Sequence, residues 1–167
     1  MRWWSEVKLA FVPEGPTYVV PASMDYLDGM EAVAESVYPG EWGFVSEGDG
    51  GLVMIHESGG QKQVVGYAVW DEAAGEITDL AVLPDYRAFS YMLLNPLMDK
   101  IKSSGREWRA DARESTSLRL LRFLARRSKI DLVEHGKTEE MDEDSLVGVT
   151  FKPKTEAWLS ACCPRLS

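Results

Sequence analysis

Cysteine and histidine are scarce in this 167-residue sequence, which has two of each. The cysteines, Cys162 and Cys163, are adjacent, and neighbouring cysteines seldom form a stable disulfide because the geometry is strained. The histidines, His56 and His135, are far apart and lack the spacing of a metal site. We therefore expect no bound metal, a reducing compartment and a cytoplasmic location.

Long apolar runs are also missing. No segment approaches the ~20 apolar residues that a spanning helix needs. The first six residues become charged too soon for a signal peptide. The composition, 45% hydrophobic and 27% charged, is that of a globular protein. A chain of this length fits a single domain, which we expect to span residues 1–167.

Basic residues are few in the first part of the chain. Residues 1–99 hold 16 acidic and four basic residues (net −12), whereas residues 100–129 hold ten basic and three acidic ones (net +7). Residues 130–145 are acidic again, with seven acids against Lys137. Such segregation can attract a cationic substrate to one face and an anionic group to another, or it can mark solvated surfaces without a partner. The net charge of −9 argues against nucleic acid, whose binding proteins are normally basic.

The order of apolar patterns predicts an α+β domain. Strands are predicted at residues 8–12, 17–20, 52–56, 63–70, 76–83, 108–112, 130–133 and 146–151. Short turns join the three strands between residues 52 and 83, which favours an antiparallel meander. Helices are predicted from residue 24, where Ser23 can cap, from residue 90 to 104, and from about residue 115.

Two of these helices carry further signals. The second ends at Gly105, a usual C-terminal stop. It contains Pro96, which should kink or delay it. In the third, the spacing places one group of side chains inside and another outside. The inside group is Leu118, Leu121, Phe123 and Leu124, and the outside group is Arg119, Arg122, Arg126 and Arg127.

The most informative segment is residues 77–87, I-T-D-L-A-V-L-P-D-Y-R, followed by A-F-S-Y-M-L-L. It predicts a buried strand that stops at Pro84, turns, and presents Arg87 just before a helix. Free amides and a partial positive charge make a helix N-terminus a ready site for phosphate oxygens. This segment therefore predicts an anion site next to a strand end.

The segment resembles the central motif of the GCN5-related N-acetyltransferases (the GNAT superfamily), a strand ending in L-A-V-x-P-x-Y-R and then G-x-G-x-G/A. The strand half matches almost letter for letter, whereas Ala88, Ser90 and Met92 stand where small, mostly glycine residues are expected. The resemblance covers roughly residues 17–152. It implies a mixed, mainly antiparallel sheet that splays between its fourth and fifth strands and is flanked by helices.

The resemblance also implies a cofactor, acetyl-CoA. The arm of the cofactor would lie along the backbone of Ala81, Val82 and Leu83. The pyrophosphate would lie at Arg87 and the residues after it, which are Ala88, Phe89, Ser90, Tyr91 and Met92.

Catalytic groups are less clearly indicated. The resemblance implies a general base on the fourth strand, either Glu76 or Asp79, which alternation places on opposite faces. Many members carry a tyrosine in the last large helix as general acid, but Arg122 stands at that position. Tyr38 or Tyr91 could substitute.

These observations favour an acyl-CoA-dependent N-acyltransferase that transfers an acetyl group to an amine by direct attack. A small-molecule or protein amine is the expected acceptor, and the acidic first part favours a cationic one, with Trp42 and Tyr38 as pocket walls. One alternative is a catalytically inactive GNAT-fold module that docks through the basic helix. Another is a transferase with a different activated donor. A homodimer is compatible with the fold, and no membrane association is expected.

Overall fold

The computed structural model describes residues 14–38, 45, 47–113, 117–141 and 144–154. Within them, seven strands form one sheet in the order β1-β2-β3-β4-β5-β7-β6. The strands are β1 (Thr17–Pro21), β2 (Gly50–Ser58), β3 (Gln61–Asp71), β4 (Glu76–Val82), β5 (Trp108–Arg113), β6 (Ile130–Met141) and β7 (Asp144–Pro153). The helices are α1 (Leu27–Val37), α2 (Tyr91–Ser104) and α3 (Ser117–Arg127), with 3₁₀ turns at Met24–Tyr26 and Pro84–Phe89.

The helices cover both faces of the sheet. Helix α1 packs Met30, Val33 and Ala34 against one set of alternating strand residues, which includes Tyr67 and Ala81. Helices α2 and α3 pack against the other set. Because successive strand side chains point to opposite faces, these are two apolar layers with the sheet between them. None of the helices in the described ranges is long and apolar enough to cross a bilayer.

The centre of the sheet changes from paired to open along β4. Strands β2, β3 and β4 are the predicted antiparallel meander. Strand β5 runs parallel to β4, and the only register pair between them in the described residues is Glu76 with Arg109. The amide of Arg109 also donates to the carbonyl of Gly75 at 2.9 Å. Beyond that point the strands separate, which confirms the predicted splay between the fourth and fifth strands.

The predicted C-terminal end of helix α2 is confirmed. Helix α2 ends at Gly105, whose φ of 66° is the left-handed conformation that glycine adopts at low cost. The helix begins at Tyr91 and continues through Pro96, so the proline does not delay its start, and the expected kink stays a prediction. A 3₁₀ turn from Pro84 to Phe89, which the sequence did not predict, precedes the helix.

Other expectations need correction. Phe123 was expected inside, but its side chain is 58% exposed, because α3 buries Leu118, Leu121, Leu124 and Ala125 instead. Ser23 makes no side-chain capping bond. The final hairpin extends through much of the acidic tract, since β6 continues to Met141 and β7 begins at Asp144. The predicted strand at residues 8–12 and Trp42 lie outside the described residues.

Candidate active site

A cavity of about 470 Å³ fills the gap between the separated ends of β4 and β5. Its walls come from the end of α1, the second half of β4, the start of α2, the end of β5 and one side of α3. The lining residues include Tyr38, Leu80, Ala81, Val82, Arg87, Ser90, Arg113, Arg119, Leu120 and Phe123. The splay of the sheet therefore produces an open site with both apolar and cationic walls.

The backbone of β4 presents polar groups to this cavity at alternate residues. The amide of Leu83 donates to the carbonyl of Val65 in β3 at 2.9 Å, so Leu83 and, by alternation, Ala81 direct their backbone groups toward β3. Leu80 and Val82 direct theirs toward the gap, and the carbonyl of Leu80 accepts a bond from the Tyr38 hydroxyl at 2.7 Å. Of the three backbone positions that the sequence proposed for the cofactor arm, Val82 has this orientation, and Leu80 joins it.

The turn before α2 forms another wall of the cavity, through Arg87 and Ser90. The amides of Leu93 and Leu94 both donate to the carbonyl of Ser90, so the amides of Tyr91 and Met92 precede the first intrahelical bonds. Ser90 is buried and lines the cavity, and Arg87 lies beside it. These groups give the site a partial positive charge and a guanidinium at one end.

The residues that replace the expected glycines leave the cavity open. Among residues 88–92, Ser90 alone lines it. Phe89 and Met92 pack against an apolar cluster that contains Tyr86 and Leu93. Ala88 is exposed, and the side chain of Tyr91 is 49% exposed. The larger side chains are therefore directed into the core or toward solvent.

Tyr38 lies where α1 ends, and its amide donates to the carbonyl of Ala34 at 2.7 Å. The guanidinium of Arg113 lies 4.4 Å from the centre of the Tyr38 ring, a cation–π distance. Burial raises the pKa of the Tyr38 phenol, and the charge of Asp79 raises it further, while Arg113 and Arg87 act in the opposite direction. The phenol is therefore neutral at physiological pH and can donate a proton.

The two carboxylates proposed as general bases lie in different surroundings. Neither carboxylate is among the residues that line the cavity. Glu76 is exposed and lies where β4 and β5 still pair. Asp79 is half-buried, and one of its oxygens accepts a bond from the Tyr67 hydroxyl at 3.0 Å. Burial and the nearby carboxylate raise the pKa of Tyr67, so this hydroxyl remains a donor. Asp79 is the carboxylate whose charge reaches Tyr38.

Helix α3 has one side toward the cavity and another away from it. Arg119, Leu120 and Phe123 line the cavity. Arg122, which stands at the position of the family's tyrosine, instead forms a two-bond pair with Glu134. Sequence reasoning missed Leu120 and Phe123 as site residues, and it considered Arg113 and Arg119 only as part of a basic surface. The apolar Phe123 at the edge of a basic helix face was the available signal.

The fold formed by these elements is that of the GNAT acetyltransferases. The ribosomal-protein-S18-alanine N-acetyltransferase from Escherichia coli superposes with a TM-score of 0.59 at 12% identity, over 84% of this chain and 96% of that one. A GNAT-family acetyltransferase from Bacillus cereus gives a TM-score of 0.53 at 15% identity, over 84% and 100%. A structure described as histone acetyltransferase HPA2 and related acetyltransferase, from Corynebacterium glutamicum, gives 0.55 at 16% identity, over 83% and 97%.

These likenesses are structural. No protein-family model matches the sequence. No curated protein matches it either. The chain thus has the GNAT fold. At 12–16% sequence identity, this similarity supports the fold but not a particular activity.

Proposed function

We propose that this protein is an acyl-CoA-dependent N-acyltransferase that transfers an acetyl group to an amine by direct attack. The observation that carries the proposal is the open edge of β4, where Leu80 and Val82 face a cavity that ends at the N-terminus of α2. An extended ligand arm can pair with such an edge like a short additional strand. Anionic groups at its other end would meet Arg87 and the free amides of α2.

The residues present fit acetyl-CoA. The cavity volume of about 470 Å³ lies within the range of ligand sites, roughly 300–1,000 Å³. The replaced glycines do not obstruct it, because Met92 packs into the core. Leu80 and Val82 would hold the pantetheine amides, and Arg87 with the amides of Tyr91 and Met92 would hold the pyrophosphate. When bound, acetyl-CoA supplies a thioester-activated acyl group.

Two side chains account for the proton movements. An attacking amine must lose a proton, and Asp79 accepts it directly or through a water molecule. Of the two carboxylates, we favour Asp79 over Glu76 because it lies on the Tyr38 side of β4. The departing sulfur must gain a proton, and the neutral phenol of Tyr38 holds one within the cavity. Tyr38 thus takes the role that a tyrosine in the last large helix has in the resembling enzymes.

A thermal melt with and without acetyl-CoA tests the proposal. A ligand at 100 times its dissociation constant stabilises a protein by about 2.7 kcal/mol, which raises the midpoint of a domain this size by roughly 5–10 °C. We expect that rise for the native protein, its loss in Arg87→Glu, and its retention in Arg126→Glu, an exposed arginine outside the cavity. Absence of a rise at millimolar acetyl-CoA and free CoA would contradict the proposal.

A further inference from the structure

The cavity is strongly cationic. Arg87, Arg113 and Arg119 line it, and no acidic residue is among its lining residues in the described part of the chain. Across those same ranges, none of the three arginines forms an ion pair, whereas five other cations do. Three guanidinium groups without carboxylate partners favour a ligand with more than one anionic group.

Arg113 is the last residue of β5 and lines the cavity from that strand, whereas Arg87 belongs to the 3₁₀ turn before α2. Parallel pairing of Glu76 with Arg109 brings the end of β5 to the gap, where Leu80 and Arg113 both line the cavity. Tyr38 connects the two, since its hydroxyl bonds the carbonyl of Leu80 and its ring contacts the Arg113 guanidinium. Arg87, in contrast, lies beyond Val82 beside Ser90. An anion on Arg113 would lie beside the Tyr38 ring, at the end of the cavity where the proposed acid and base act.

This end of the cavity has charges of both signs around Tyr38. Arg113 supplies the positive charge, with its guanidinium 4.4 Å from the centre of the Tyr38 ring. Asp79, which accepts a hydrogen bond from Tyr67, supplies a negative charge that raises the pKa of the Tyr38 phenol. A simple cationic amine would meet repulsion from the three arginines. An amine with a carboxylate on the adjacent carbon offsets that repulsion, because guanidinium binds carboxylate through two parallel hydrogen bonds.

We propose that the acceptor is an α-amino acid, whose carboxylate binds Arg113 while its amine lies between Asp79 and the edge of β4. This inference rests on the proposed function and replaces the cationic acceptor expected from the acidic first part of the chain. The total charge of that part extends over many surfaces, whereas the acceptor meets the local charge of the cavity. Arg113 is the residue that selects the substrate.

The test compares each amino acid with its carboxamide. Thiol release from acetyl-CoA is measured with a panel of the common α-amino acids and with the corresponding α-amides, which keep the side chain and amine but lack the carboxylate. We expect kcat/KM for the best amino acid to exceed that for its amide by about 100-fold, close to the 2–3 kcal/mol of a charge-assisted pair. Most of the difference should appear in KM.

Variants of Arg113 test whether this residue binds the carboxylate of the acceptor. Arg113→Met should remove the preference for the carboxylate, so that kcat/KM for the amino acid falls to the value for its amide measured in the same variant. Arg113→Lys should retain part of the preference, because an ammonium keeps the charge but not the two-bond geometry. Arg126→Met, exposed on α3 and outside the cavity, is the matched control and should keep the full preference.

The possible results separate the two proposals. If amides or simple amines react as well as amino acids, the acceptor assignment is wrong while the acyltransferase activity stands. The same holds if Arg113 instead determines the use of succinyl-CoA or malonyl-CoA over acetyl-CoA, since its anion would then belong to the donor. If acetyl-CoA neither shifts the melt nor reacts with any amine, both proposals fail. The melt shift with acetyl-CoA should persist in Arg113→Met, which also verifies that this variant folds.

Discussion

Arg119 and Arg122 are three residues apart on α3, yet one lines the cavity and the other does not. Arg119 faces the gap between β4 and β5, where no carboxylate in the described ranges pairs with it. Arg122 is on the outer side of α3 and is neutralised by Glu134, with a 2.9 Å bond from its Nε. A count of basic residues on α3 combines these two surfaces, although only the first belongs to the cavity between β4 and β5.

This difference bears on the rival function, a catalytically inactive module that docks through the basic helix. Such a module would use the outer side of α3, where Arg122 already has an intramolecular partner. Charge reversal therefore separates the two functions: Arg119→Glu should reduce binding of acetyl-CoA, and Arg122→Glu should leave it unchanged. The reverse pattern, with biological function lost only in Arg122→Glu, would favour the docking module.

The largest expected effect is a loss of kcat when Tyr38, which lines the cavity, loses its hydroxyl. A tyrosine outside the cavity is the control. Tyr38→Phe removes the phenol proton and should lower kcat by about 10²–10⁴-fold, the usual contribution of a general acid. Tyr18→Phe, on β1 and outside the cavity lining, is the control and should keep kcat within two-fold. Steady-state kinetics with acetyl-CoA at saturation measures both, and an unchanged kcat in Tyr38→Phe would remove this residue from the mechanism.

A substitution on the core side of α3 should lower the free energy of unfolding more than a substitution on its cavity side. Leu118 is 1% exposed, so Leu118→Ala leaves a cavity and should cost about 2–5 kcal/mol. Phe123 is 58% exposed, and Phe123→Ala should cost less than about 1 kcal/mol while weakening acetyl-CoA binding. Urea unfolding of both variants checks the comparison. Equal losses of stability would mean that Phe123 packs in the core.

Alkaline pH should destabilise the protein through the tyrosine beside Asp79. The pKa of Tyr67 is raised above the ordinary value of 10.0 in the folded protein. Its contribution to stability is thus complete below that value and is lost at higher pH, because only the unfolded chain ionises there, at about 1.4 kcal/mol per pH unit. Melts at pH 9 and 11 should show a smaller decrease for Tyr67→Phe than for the native protein. An equal decrease would contradict the buried assignment.

The smallest effect should come from the outer side of α3. Arg122 lowers the pKa of Glu134 through a direct hydrogen bond. This stabilisation is present above the ordinary glutamate pKa and is lost as the pH falls through the lowered value. Because the pair is exposed, Arg122→Ala should cost only about 0–1 kcal/mol at pH 7 and nothing once Glu134 is protonated. A larger cost at low pH would indicate a different role for Arg122.

The strand at residues 76–83 could be predicted from the sequence, because neighbouring residues determine it. Apolar residues stop at Pro84, and Arg87 follows before the next helix, so strand, turn and helix are each encoded within a few positions. The orientation of the β4 backbone groups was not readable, since it depends on which residues of β3 they pair with. For this reason the sequence proposed Ala81, Val82 and Leu83, whereas the pairing with β3 directs the backbone groups of Leu80 and Val82 toward the cavity.

The position of Arg113 in the cavity could not be predicted from the sequence either. Arg113 follows a short strand and has no local feature that distinguishes it from the other arginines after residue 100. Its position in the cavity wall results from parallel pairing at Glu76 and Arg109, residues 33 positions apart, and from the separation of the two strands beyond that pair. Phe123 was assigned to the core from helical spacing alone. Spacing gives the buried side of a helix, but the edge of that side depends on what packs against it.

The sequence by itself determined the order of strands and helices, the end of β4 at a proline and the arginine before α2, because these depend on neighbouring residues. The resemblance to the GNAT motif followed from the same short segment. Only the tertiary structure decided that the sheet opens beyond Glu76 and that Tyr38, Arg113 and Arg119 meet around the opening. The physical reason is that a cavity and its charges are formed by strand pairing and helix packing between distant parts of the chain, which no local pattern specifies.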